Sequence, residues 1–144
     1  MRGAFLFALI LVSSVLCVGS AAEEGAILSA AHTSLTYPPR ELDQSTGHKF
    51  VYIRVSRVVN PRTIPVAIEV HVQPPGGAKI YLGGFALFPA DNPGEFIVPS
   101  QGKIDCGGQV LVSLQGEVIE AQAAEVEVEI TEVRLVDGLE PAAR

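Results

Sequence analysis

The sequence has 144 residues, of which 48% are hydrophobic and 18% are charged, and its formal net charge is −6. This length suits one domain of ordinary size but not two with separate cores, and the apolar composition excludes extended disorder. Nucleic acid is disfavoured as a partner because phosphate neutralisation needs clustered basic side chains, whereas the ten Lys and Arg residues are scattered.

The first 22 residues have the pattern of a secretory signal peptide. Arg2 is followed by an apolar run over 4–12 and then by small residues that end in Ser20-Ala21-Ala22. The run is shorter than the roughly 20 residues that span a bilayer. We therefore expect cleavage after Ala22 and a secreted or periplasmic mature protein that does not span the membrane.

Residues 23–47 carry little periodicity, and we predict an N-terminal extension that is mostly loop, with a strand over 26–35 as an open alternative. The regular part, a domain over 48–136, begins with β-branched and aromatic residues at 50–56. This composition predicts a strand whose core-facing side chains are Val51, Ile53 and Val55.

The segment 64–73 has the clearest alternation in the chain. Its even positions are apolar from Ile64 to Val72, and its odd positions include Glu69 and His71. A period of two predicts a strand with one buried face. Because Pro65 has no backbone N–H to donate, this strand must either start there or lie at a sheet edge.

Three further strands are predicted over 78–88, 95–98 and 109–114, separated by clusters of turn-forming residues. Adjacent glycines, Gly83 and Gly84, interrupt the first of them and predict a bulge or a bend. Residues 117–124 fit a helical turn as well as a strand.

The last predicted strand, over 125–136, changes its alternation halfway. Apolar residues stand first at even positions and then at odd ones: Val126, Val128 and Ile130, then Val133 and Leu135. A straight strand would turn its second half inside out, so we predict a bulge at Thr131-Glu132. Residues 137–144 are predicted to be a flexible tail.

Short strands joined by Pro and Gly turns, without amphipathic helices between them, indicate an all-β protein. We predict a single antiparallel β-sandwich of about six to eight strands after a cleaved signal peptide.

Three carboxylates, Glu125, Glu127 and Glu129, are predicted to lie along one face of the last strand. A linear row does not converge on one point, as calcium ligands must. We interpret the row as a solvated face that discourages aggregation at a sheet edge, and a docking surface for a basic partner is the alternative.

His71 and Glu69 are predicted to share the polar face of their strand. A solvated histidine is the simple interpretation, and a weak surface metal site or a pH-sensitive contact is the alternative.

One cysteine, Cys106, remains after cleavage, since Cys17 lies in the leader. Cys106 cannot form an internal disulfide, so it is buried, links two chains, or stays reduced. A blue-copper site would need a histidine soon after this cysteine, and none follows it. We therefore expect no metal and no cofactor.

Catalysis finds no support in the sequence, which contains no nucleophile elbow, no paired-carboxylate motif and no phosphate-binding glycine loop. We expect a protein without enzymatic activity.

One resemblance covers residues 66–136. It is carried by the strand sequences IEVHV at 68–72, YLGGFALF at 81–88, VLVSL at 110–114 and VEITEVRL at 128–135. This succession resembles the C-terminal β-sandwich domain of tyrosinase-family polyphenol oxidases. In that family the domain shields or accompanies the dicopper site and holds no copper ligand. The resemblance therefore implies a β-sandwich and an accessory role without oxidase activity, because the histidine-bearing helices of the catalytic domain are missing here.

The function expected from the sequence is that of an exported accessory module that binds a protein partner. The alternatives are a structural or assembly subunit, acting by strand addition or a Cys106-linked dimer, and a small-molecule or metal carrier.

Overall fold

The computed structural model describes residues 25–38, 50–104, 108–115 and 125–138. These ranges form strands and no helix, and the bounds in chain order are β1 (Ala26–Ser29), β2 (Ser34–Tyr37), β3 (Phe50–Val59), β4 (Ala67–Gln73), β5 (Ile80–Ala86), β6 (Gly94–Pro99), β7 (Gln109–Leu114) and β8 (Glu127–Val136). The predicted signal peptide, the helical turn at 117–124, Cys106 and most of the predicted tail lie outside the described residues.

The strands form two four-stranded antiparallel sheets. The first has the order β1-β8-β3-β6 and the second the order β2-β7-β4-β5. One face of each sheet contributes to a common core, in which Val51, Ile53, Ile68, Val70, Val112 and Val128 are fully buried. The prediction of an all-β antiparallel sandwich is confirmed.

The segment predicted to be an N-terminal extension contains two short strands. β1 pairs with β8, and β2 pairs with β7, so the two strands lie at neighbouring edges of the two sheets. The single strand considered for 26–35 is therefore split by a turn at 30–33, because Ser29 and His32 exchange backbone hydrogen bonds there.

The predicted bulge in the last strand is confirmed. Arg54 pairs with Glu132 and Val55 with Ile130, so Thr131 is an extra residue in β8. A second shift, between Val55 and Arg57, makes Ser56 the extra residue in β3. The extra residue in β8 lets both halves of that strand keep their apolar side chains in the core. The extra residue in β3 then restores the pairing register between the two strands.

The glycine pair in β5 also lies beside a bulge. Val70 pairs with Gly83 and His71 with Tyr81, so the extra residue is Leu82, which is buried. Pro65 required the strand either to start near it or to lie at a sheet edge, and the first alternative is correct. β4 begins at Ala67 and lies between β7 and β5.

A buried asparagine organises one end of the sandwich. Asn60 is 5% exposed, and its Nδ2 donates to the carbonyl oxygens of Ile64 at 2.8 Å and Ala90 at 3.0 Å. Its Oδ1 accepts from the Ile64 N–H at 3.1 Å. One side chain thus ties the β3–β4 connection to the β5–β6 connection, and we call this the Asn60 end.

β6 leaves the Asn60 end directly after Pro93 and finishes at Pro99. It pairs with β3 on one side and forms the outer edge of the first sheet. Among the described residues no helix has the length and hydropathy needed to cross a membrane.

Replacing Asn60 with alanine should lower the free energy of unfolding by about 2–3 kcal/mol, because the change leaves buried backbone groups of two connections without their partners. Urea unfolding of the two proteins measures the difference. Asn92→Ala, which alters an exposed residue of the same β5–β6 connection, is the matched control and should change stability little. Equal losses in both variants would contradict the assigned role of Asn60.

Candidate binding surface on the second sheet

The predicted row of carboxylates lies on the outer face of the first sheet, where two arginines of the same chain lie against its three carboxylates. Arg57 Nε donates to Glu129 Oε2 at 2.9 Å, and its Nη2 lies 3.9 Å from Glu127 Oε2. Arg62 Nε lies 3.5 Å from Glu125 Oε2. These pairings disfavour the docking surface for a basic partner, because Arg57 and Arg62 already balance two of the three negative charges.

The interpretation of that row as protection for a sheet edge is wrong. β8 lies between β1 and β3, so its backbone groups are paired on both sides. The acidic row covers an interior strand. It contributes to a solvated face on which positive and negative side chains alternate. Opposite charges on neighbouring strands stabilise such a face.

The same face continues as a linked set of charges around Tyr52. Arg134 Nε lies 2.9 Å from Glu132 Oε1, and the Arg134 guanidinium carbon stands 4.5 Å from the centre of the Tyr52 ring. Burial, followed by a hydrogen bond to Glu95, raises the pKa of the Tyr52 hydroxyl. The tyrosine therefore stays a neutral donor.

Beside these charges the outer face has a shallow open depression of about 560 Å³. It lies where both bulges occur, and Arg54, Ser56, Glu95 and Thr131 contribute to its lining. The described residues contain no group of three or more His, Cys, Asp or Glu side chains placed to hold a metal ion.

The outer face of the second sheet has a different composition. The ladders place Thr36, Leu111, His71 and Tyr81 in one row across the four strands. The neighbouring row contains Ser34, Ser113, Glu69 and Gly84. In these two rows Glu69 is the only residue with an ionised side chain at neutral pH, given that His71 is neutral for the reasons below.

His71 is buried, so its interpretation as a solvated histidine is wrong. The residue is 8% exposed although it lies on the outer face. Tyr81 covers it edge-on, with ring centroids 5.3 Å apart, and Leu111 is its neighbour on β7. Alternation correctly gave the face of His71, but the covering residues come from the two adjacent strands of the sheet, β5 and β7.

The burial of His71 keeps its ring neutral. Desolvation, assisted by the nearby positive charge of Lys79, lowers the pKa of His71 below its ordinary value, while Glu69 opposes the shift. Within the described part of the chain, His71 Nδ1 is buried without a hydrogen-bond partner, and Nε2 lies 3.9 Å from Glu69 Oε2. The expected pairing of Glu69 and His71 is therefore a proximity without charge compensation at pH 7.

Beside Glu69 and His71 the outer face is shallow, because Gly84 has no side chain. A Cβ atom at Gly84 would lie 2.7 Å from the backbone oxygen of Ile68 and 3.4 Å from the Tyr81 hydroxyl. Only glycine fits without displacing backbone, and the Tyr81 ring extends over the space left free. The next pair on this face, Ala67 and Ala86, also has short side chains.

This shallow part of the outer face ends at Phe88. The Leu87 N–H donates to the Val66 carbonyl oxygen at 3.0 Å, which continues the β4–β5 register so that Phe88, in the bend after β5, comes level with Pro65. Phe88 is 95% exposed and Tyr81 is 53% exposed. We define the Tyr81–Phe88 strip as the surface formed by Tyr81, Gly84 and Ala86 of β5, Phe88 of the bend after it, and Ala67, Glu69 and His71 of β4.

The sequence named Glu69 and His71 but missed the two aromatic residues of the strip. The bulge at Leu82 places Leu82 and Gly83 both toward the core, so simple alternation assigns Tyr81 and Phe88 to opposite faces. The glycine pair signalled an irregularity there, but not which residue is the extra one.

Neither known protein families nor curated proteins give a match to this chain. Solved structures of latent aurone synthase, a polyphenol oxidase, are similar in fold. The recombinant enzyme co-crystallised with hexatungstotellurate(VI) aligns with a TM-score of 0.42 and 11% identity over 76% of this chain and 23% of its own. A second recombinant structure gives a TM-score of 0.42 and 12% identity over 83% and 28%, respectively.

The enzyme from its natural source gives a TM-score of 0.41 and 11% identity, over 78% of this chain and 24% of its own. The chain thus spans about a quarter of the length of these proteins. The resemblance to polyphenol oxidases stated from the sequence is confirmed at the level of fold.

The pKa of His71 makes stability depend on pH. The unfolded chain binds a proton at the ordinary value of 6.5, whereas the folded chain binds it only at lower pH. The contribution of neutral His71 to the free energy of unfolding is therefore fully present above pH 6.5. It is lost as the pH falls toward the lowered pKa of His71 in the folded chain. We expect His71→Phe, which keeps a ring against Tyr81, to flatten this part of the pH profile.

Urea unfolding from about pH 5 to about pH 8 measures this effect. His32→Phe, at an exposed position in the β1–β2 turn, is the control and should retain the wild-type profile. A His71→Phe profile as steep as that of the wild type would show that another group is responsible.

Proposed function

We propose that this protein is an exported accessory module without enzymatic activity, and that it binds another protein through the Tyr81–Phe88 strip. The proposal joins the export signal expected from residues 1–22 to one structural observation. One exposed aromatic side chain, Tyr81, lies on a sheet face that is poor in charge, and a second, Phe88, lies in the bend after β5.

The contrast between the two outer faces supports this choice of surface. The first sheet exposes arginines and glutamates, most of which lie against a side chain of opposite charge. Such a face would lose hydration on binding without gaining new partners. The second sheet exposes Tyr81 and Phe88 above small residues, and aromatic anchors with few charges around them are typical of the centres of protein interfaces.

The rigidity of the Phe88 connection supports the same role. Asn60 holds the Ala90 carbonyl oxygen two residues beyond Phe88, and the Asn92 N–H donates to the Pro89 carbonyl oxygen at 3.0 Å. The backbone of a braced loop loses little conformational freedom when a partner covers it.

The alternative of assembly by strand addition from residues 23–47 receives less support. Residues 26–29 and 34–37 already pair with β8 and β7 of the same chain. β1 and β2 each keep one open edge because they end their sheets, so strand addition there would leave these ladders intact. The exposed aromatic side chains of Tyr81 and Phe88 are what favours the strip instead.

Photo-cross-linking in the organism that produces the protein tests the proposed function. A benzophenone amino acid replaces Tyr81, Phe88 or Ile97, the last being a 38% exposed residue on the first sheet that serves as the control position. We expect one discrete adduct of the same mass from positions 81 and 88, and none of that mass from 97. Added wild-type protein should suppress the adduct, whereas Tyr81→Ser and Phe88→Ser proteins should not.

Equal adducts from position 97, or no adduct from either strip position, would refute binding through this surface. Circular dichroism of each variant confirms that a lost adduct does not reflect unfolding.

A further inference from the structure

Glu69 differs from the four carboxylates at and before β8, which lie against arginines, and from Glu95 of β6, which has a hydrogen bond with Tyr52. Glu127 and Glu129 lie against Arg57, Glu132 lies against Arg134, and Glu125 lies against Arg62. The only basic group within 4.0 Å of Glu69 in the described part of the chain is His71 Nε2, at 3.9 Å.

His71 cannot balance that charge at neutral pH, because the pKa of its buried ring is lowered and the ring stays neutral. Lys79 is exposed on the same side of the sheet and acts on the His71 ring, but it forms no ion pair with Glu69 within that distance. The Glu69 side chain is 36% exposed. It therefore presents an uncompensated negative charge in an otherwise apolar strip.

The ladder fixes where this charge lies relative to the aromatic residues. Glu69 pairs with Gly84, two residues along β4 from His71, which faces Tyr81. It is four residues from Pro65, which lies beside Phe88. At about 3.3 Å per residue, the backbone of Glu69 lies roughly 7 Å along the strand from the level of the Tyr81 backbone and roughly 13 Å from that of Phe88.

A partner that covered the strip without a cation would leave the Glu69 carboxylate desolvated and unpaired, which is costly. We infer that the partner of this strip is a protein segment with two apolar side chains, which contact Tyr81 and Phe88, and between them one lysine or arginine, which pairs with Glu69. This inference rests on the proposed function and specifies the chemistry of the partner.

The inference is tested with a phage-displayed library of random linear 16-residue peptides, selected on the purified protein. Clones that require the strip are identified by loss of binding to Tyr81→Ser and Phe88→Ser. We expect these clones to carry a Lys or Arg between two apolar residues and to bind Glu69→Gln about tenfold more weakly. Glu132→Gln on the first sheet is the matched control and should bind them as the wild type does.

A charge exchange distinguishes a direct ion pair from an indirect effect. Glu69→Lys should abolish binding of a selected peptide, and replacing the peptide's Lys or Arg with Glu should restore binding to Glu69→Lys alone. Glu69 is partly exposed, so these variants are expected to fold, and circular dichroism checks that they do.

The possible outcomes separate the two proposals. Clones that need Tyr81 and Phe88 but carry no basic residue and ignore Glu69→Gln would overturn this inference and leave the proposed function standing. A selection with no clone sensitive to the aromatic variants would overturn both.

A second copy of the chain is the competing occupant, because Lys79 of one molecule could meet Glu69 of another. Sedimentation of the purified protein would then show a dimer that Lys79→Glu dissociates and that Glu69→Lys combined with Lys79→Glu restores. That result would overturn the inference of a separate partner segment, whereas a monomer at all concentrations upholds it.

Discussion

An extended chain turns successive side chains to opposite faces, and the architecture of this sandwich depends on where the chain departs from that rule. It departs at Thr131 and Ser56 in the first sheet and at Leu82 in the second. Without the extra residue at Thr131, one half of β8 would turn its valines to solvent and its glutamates toward the core. The bulge at Leu82 has the same importance for the second sheet, because it places Leu82 and Gly83 both toward the core and so returns Gly84 and Ala86 to the face of Tyr81.

The two outer faces solve the problem of solvent contact in different ways. The first sheet places opposite charges on neighbouring strands, so that Arg57 spans two glutamates of β8 and Arg134 lies over Tyr52 beside Glu132. Exposed ion pairs of this kind add little to the free energy of unfolding, but they leave few charges without a partner of opposite sign. The second sheet buries a neutral histidine under a tyrosine and retains one unbalanced carboxylate. Specific recognition fits the second arrangement better.

The sequence predicted local features and missed long-range ones. The period of two in 64–73 gave the buried face of β4, and the parity change after Ile130 located the bulge at Thr131, since both depend on residues close together in the chain. The partners of Glu129 and His71 depend on strand order. Arg57 is 72 residues from Glu129, and the ring that covers His71 comes from the neighbouring strand with its alternation shifted. No local pattern encodes such contacts.

The prolines that bracket β6 bear on how this protein behaves at high concentration. β6 is an edge strand of only six residues, preceded by Pro93 and ending in Pro99. A proline offers no backbone N–H, so a foreign strand that docked on this edge would run out of donors at both ends. The edge thus resists extension into an intermolecular sheet by virtue of its length and its termini, without needing a charged side chain to repel a second molecule.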